Sequence, residues 1–167
     1  MKHLILLAFL TLFISCDQSS KEEASEEIVE VIEDTIGEKE VSTKSIEEDL
    51  KKKGYQTFSY KEGDTTYLMQ QYYMVFLKSG PTRSQDSTEA AELQRQHLAH
   101  LERMATEGFT SLTGPMGDDG DLRGIVVFNT ATQAEADSLA NLDPMVKAGR
   151  LKVEIHPWWA AKGGKLK

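Results

Sequence analysis

The chain has 167 residues and a formal net charge of −8, with 40% apolar and 28% charged residues, which is material for one domain of ordinary size and too little for a second core. The acidity is local: 13 acidic and 6 basic side chains fall between Asp17 and Lys53, whereas Gly54 to Lys167 carries 14 and 12. That near-balanced remainder has no basic stripe for a phosphate backbone, which argues against nucleic acid as a partner.

The chain opens with "MKHLILLAFLTLFISC", a short basic start, an apolar run from Leu4 to Ile14, then Ser15 and the only cysteine, Cys16. The run is shorter than the about 20 apolar residues that span a bilayer, so residues 1–16 read as a secretory signal. A lone cysteine behind a small residue at the end of such a run resembles a bacterial lipobox, with Phe13 in place of the usual leucine. The resemblance implies that Cys16 is acylated and becomes the mature N-terminus, anchoring the protein to a membrane through lipid. "SKEE" from Ser20 to Glu23 resembles a surface-export signal, and Asp17 an inner-membrane retention signal. The expected place is therefore the periplasm or the cell surface, with the outer membrane favoured. A single cysteine allows no intramolecular disulfide.

Residues 17–53 are rich in Glu, Ser and Lys and hold no aromatic residue. Such a segment buries too little apolar surface to offset chain entropy, so it reads as an acidic disordered tether. "IVEVIEDTI" can form a transient helix and Ile46 to Lys53 another, and neither need be stable. The folded domain is expected over residues 54–167. It begins with "YQTFSY" and "TTYLMQQYYMVFL", both dense in aromatic and β-branched residues and separated by the turn-forming "KEGD". In the second run Tyr67, Met69, Tyr73, Val75 and Leu77 share one face and Leu68, Tyr72, Met74 and Phe76 the other, so this strand is expected to be covered on both sides.

Asp86 and Glu89 have capping-box spacing, which predicts a helix from there to about Glu107, closed by Gly108. Ala90, Leu93, Leu98, Leu101, Met104 and Ala105 form its apolar stripe, with His97 inside it and His100 at its edge. "FTSLTGP" and "LRGIVVF" read as strands around the loop "MGDDGD". Thr132 to Glu135 is a second capping box, opening a helix to about Asn141. "DPMVKAG" reads as a connector, and "LKVEIHP" as the last strand before Trp158, Trp159 and a basic tail.

Strand, helix, strand, strand, helix, strand is the ferredoxin-like split βαβ order (βαββαβ), an α+β fold with an antiparallel sheet and two helices on one face. Its second face would be bare, although the first strand is apolar on both sides. A two-fold partner sheet would cover it, giving a homodimer.

His97 with Leu98, Gly108 eleven residues on, "TGPM", "LDPMVKAG" and "VEIHPW" follow in the order of the landmarks of the YCII-related (YciI-like) family, which this chain resembles from about Tyr72 to Trp158. The resemblance implies a dimeric α+β barrel and a pocket with a catalytic histidine and aspartate, carried here by His97 and Asp143. It selects no particular activity. A partly dry histidine can take and return a proton near neutral pH, and an aspartate on its other nitrogen fixes the tautomer, which suits isomerisation or elimination on a small molecule. His97 reads equally as a core histidine bonded to a backbone carbonyl, and Asp143 equally as a local cap ahead of Pro144. A non-catalytic ligand-binding or interaction module is the alternative function.

Arg83, His100, Gly114 and Pro115 are the further candidates for the pocket wall, Arg83 as a contact for an anionic group. His97 and His100 lack two further ligands at metal spacing, and "DDGD" lacks the ordered carboxylates of a calcium loop, so no metal is expected. "GPMGDDGDLRG" lacks the lysine and helix of a P-loop, no serine nucleophile motif is present, and no cofactor is expected. The two tryptophans are expected to bury against the dimer partner.

Overall fold

In the computed structural model, which describes residues 42–166, the long apolar run becomes one 15-residue strand on which the other elements assemble. The order is α1 (Thr43–Lys52), β1 (Thr57–Glu62), β2 (Thr65–Ser79), α2 (Ser87–Thr106), β3 (Thr110–Pro115), β4 (Leu122–Phe128), α3 (Gln133–Asn141), α4 (Pro144–Lys147) and β5 (Leu151–Ala161). All strand pairs are antiparallel. β5 pairs with β2 over residues 69–79, while β1 pairs with residues 65–70 of β2 and β4 with 73–78. Met69 and Gln70 bond to both β1 and β5, so β1 and β4 share the edge that β5 leaves open. With β3 beyond β4, the four strands after the hairpin have the order of a ferredoxin-like sheet. The fold is thus the expected α+β type, with β1 as an additional strand.

The two faces of β2 behave differently. Tyr73, Val75 and Leu77 join Val126, Phe128, Met104, Ala136, Ala140 and Met145 in the core, covered by α2 and α3. Capping chemistry sets those helices as predicted. The Asp86 carboxylate accepts from Glu89 N at 2.9 Å, and Thr132 accepts from Glu135 N at 3.2 Å. Gly108, at φ +79°, lets Phe109 N reach the Met104 carbonyl at 2.9 Å, the backbone reversal that ends α2.

On the other face Leu68, Gln70 and Tyr72 are buried, Met74 and Phe76 half-buried, and Trp158 and Leu112 exposed. The cover at the buried end is α1. Glu47 accepts from Ser59 at 2.6 Å, and Ser59 stands opposite Leu68 in the β1–β2 register. Helix α1 lies inside the stretch expected to be tether, so Thr43–Lys52 stands with the folded residues ahead of the expected boundary at Gly54. Cys16 and the signal segment lie outside the described residues. Among the described residues no helix is long and apolar enough to cross a membrane.

Two further readings are corrected. "DPMVKAG" is no plain connector: Asp143 caps the four-residue helix α4, with Pro144 at its first position, where a missing N–H costs nothing. The last strand continues through both tryptophans to Ala161. Pro157 is tolerated because β5 pairs on one side only.

Candidate active site

Helix α2 turns His97 inward, leaving it 8% exposed. Its Nδ1 lies 2.5 Å from Oδ2 of Asp143, and Asp143 is 2% exposed. The aspartate comes from the corner between α3 and α4. An extended conformation is favoured for a residue before proline, and Asp143 adopts one, with ψ 128°. This frees its carboxylate for two bonds at once: Oδ1 accepts from Met145 N at 2.8 Å while Oδ2 takes the histidine. The capping role and the histidine-pairing role are therefore held by one side chain.

A carboxylate on Nδ1 makes that nitrogen the donor and leaves Nε2 with a free lone pair when the ring is neutral. Among the described residues Nε2 has no hydrogen-bond partner, and it is not one of the buried unpartnered atoms. Beside it lies a cavity of about 650 Å³, lined by His97 together with Leu98, Leu101, Met145, Leu151 and others. That size suits a small organic molecule; such sites run to roughly 300–1,000 Å³. At Gly124 in the wall, an added Cβ would lie 2.9 Å from the Gly114 carbonyl oxygen, so this position stays bare.

Of the residues expected in the pocket wall, Arg83, Gly114 and Pro115 line the cavity and His100 does not. His100 is buried, with Arg103 donating to its Nδ1 at 3.3 Å. Burial holds its pKa below the ordinary histidine value, and Arg103 and His97 push the same way against Asp143 and the Leu139 carbonyl. One helical turn separates it from His97, yet it serves the packing between α2 and α3. Leu98, expected in the core stripe, is 55% exposed and lines the cavity instead. Neither tryptophan reaches the cavity. Trp158 lies against Tyr72 and Trp159 against Phe58, ring centres 6.3 and 5.1 Å apart.

Sequence reasoning missed Arg123 and Arg150, which also line the cavity. The signal for Arg150 was the glycine before it. Gly149, at φ +69°, ends α4 by the same reversal as Gly108, with Arg150 N on the Met145 carbonyl at 2.9 Å. No group of three or more His, Cys, Asp or Glu able to hold a metal occurs among the described residues.

The YCII-related domain matches residues 71–159, a stretch that contains His97, Asp143 and the whole cavity wall. Among solved structures, 5-chloro-2-hydroxyhydroquinone dehydrochlorinase from Burkholderia phenoliruptrix AC1100, in complex with 2,5-dihydroxybenzoquinone, is similar at a TM-score of 0.40 and 22% identity, over 52% of this chain and 92% of that one. No curated protein matches the chain.

The lowered pKa of His100 has a consequence for stability. The neutral ring is favoured in the fold, so its contribution is fully present above the unfolded value of 6.5 and is lost as pH falls through the folded value. Urea midpoints measured from pH 7.5 downwards are expected to fall below pH 6.5 in the wild type and to fall less in His100→Gln. Equal slopes for the two proteins would contradict this.

Proposed function

Since the chain belongs to the YCII-related domain family, we propose that its cavity is a proton-transfer site, with His97 as the catalytic base and acid and Asp143 as its orienting partner. The supporting observation is the 2.5 Å contact between His97 Nδ1 and Asp143 on a ring that borders the cavity. Nε2 takes a proton from an acidic C–H or O–H of a bound small molecule. Asp143 keeps Nδ1–H in place and stabilises the imidazolium that forms. The same proton returned to another atom of the substrate completes an isomerisation. If a leaving group departs with its electron pair instead, the proton passes to solvent and the step is an elimination.

The active form is a homodimer through the open sheet face. Met74, Phe76 and Ile125 are only half-buried in one chain, with Leu112 37% and Trp158 41% exposed beside them. Glu154 and His156 of β5 stand beside them on this face, but the apolar side chains left open call for a partner, and a second copy presenting the same face satisfies a two-fold axis. The protein is anchored to a membrane through acylated Cys16 at the end of its apolar N-terminal run.

Proton transfer can be read without knowing the substrate. Hydroxyaromatic compounds and lactones incubated with the protein in D₂O are expected to include one whose C–H exchanges for deuterium, followed by ¹H NMR. His97→Asn is expected to slow that exchange about 100-fold or more under conditions where circular dichroism shows it still folded, although its unfolding midpoint falls because Asp143 loses its partner. Exchange that survives in the variant, or binding to the cavity with no exchange across the set, would overturn the reading.

Light scattering on a size-exclusion column is expected to give twice the chain mass for the wild type and the single mass for Phe76→Glu, with matching circular dichroism. A monomeric wild type would remove the dimer. Replacing Cys16 by serine is expected to move the protein from the membrane fraction to the soluble fraction; full retention at the membrane would exclude acylation there.

A further inference from the structure

We infer that the molecule taken up by the His97 cavity is a small organic anion with an apolar body, its charged end held by Arg83 and Arg150. The inference rests on the proposed function only for the position of the reacting atom. The affinity for an anion stands on separate residues.

The chain as a whole carries −8, yet the cavity wall has the opposite balance. Arg83, Arg123 and Arg150 face it against a single carboxylate, Glu102. Arg123 has Asp119 at 4.0 Å and donates to the Gly120 carbonyl at 3.1 Å. Arg83 and Arg150 have no carboxylate within 4 Å among the described residues. Arg83 Nη1 donates to the Arg150 carbonyl at 3.4 Å, and Arg150 Nη1 to Gln85 Oε1 at 3.0 Å. A guanidinium has five N–H donors, so most of the donor capacity of this pair is unused.

The two arginines are brought together by construction. Gly80 N donates to the Arg150 carbonyl and Thr82 N to the Gly149 carbonyl, both at 2.9 Å. A Cβ on Gly80 would lie 2.1 Å from the Gly149 carbonyl oxygen, and one on Gly149 would lie 2.7 Å from Thr82 Oγ1. Only glycine at both positions lets the segment after β2 lie against the turn before β5. That contact sets Arg83 and Arg150 together in the cavity wall, where an anion is the charge that complements them. A planar carboxylate matches the guanidinium fork with two parallel hydrogen bonds. The rest of the wall, with Leu77, Leu98, Leu101, Met145 and Leu151, suits an apolar body.

Benzoate and its neutral counterpart benzamide are the probes. Titrated into the full chain and followed by NMR, benzoate is expected to bind at least ten-fold more tightly than benzamide, and added salt is expected to narrow the gap. Arg83→Gln/Arg150→Gln should abolish the preference, bringing benzoate to the affinity of benzamide, and the double Lys variant, which keeps the charge but not the fork, should retain part of it. Equal affinities in the wild type, or a preference that survives the double Gln variant, would overturn the inference. His97→Asn separates the two readings. It is expected to retain the benzoate preference, so a failure of proton transfer leaves the anion site standing, and a missing preference leaves proton transfer standing.

Discussion

One hydrogen bond, from the His97 ring to the Asp143 carboxylate, ties the middle of α2 to the corner between α3 and α4. Both partners are buried, and a buried carboxylate is tolerable only when its oxygens are occupied. Asp143 meets that condition through Met145 N on one oxygen and the imidazole on the other. Removing either partner of such a buried pair leaves the other stranded, at a cost of about 3–5 kcal/mol. The contact is therefore structural whatever chemistry the ring performs. It fixes the helix packing, and it settles which ring nitrogen stays available to the cavity.

The cavity itself comes from small local rules. The α2 helix carries a leucine, Leu98, at a position where the sheet below leaves space, and Gly124 places no side chain into it. A turn ended by the left-handed Gly149, closely approached by Gly80, brings Arg150 beside Arg83. Each device is unremarkable alone, and together they make a half-apolar chamber with arginines and an imidazole in its wall. Charge neutrality across the domain hides this, because the acidic side chains lie mostly elsewhere.

Local chemistry written in a few residues was legible in the sequence. The caps at Asp86 and Thr132 and the stop at Gly108 stand where their spacing predicts, because each depends on a side chain and a backbone group three or four residues away. The two faces of β2 follow from alternation alone. His97 was legible as an inward-facing residue, and Asp143 became a candidate through family resemblance. What escaped depends on long-range contact. Helix α1 overlaps the helix that Ile46 to Lys53 can form, but its docking through Glu47 on Ser59 of β1 is a contact that no local pattern announces. Leu98 and His100 differ in fate because the gap below one and the α3 helix beside the other are set by tertiary packing. Arg150 joins Arg83 only after the chain has crossed the whole sheet.

The tautomer of His97 is the most direct measure of this account. In ¹⁵N-labelled protein at about pH 8, above the ordinary histidine pKa, long-range ¹H–¹⁵N spectra should show Nδ1 protonated and Nε2 bare, and Asp143→Asn should release that assignment. A ring that carries its proton on Nε2, or exchanges between tautomers as free imidazole does, would contradict it.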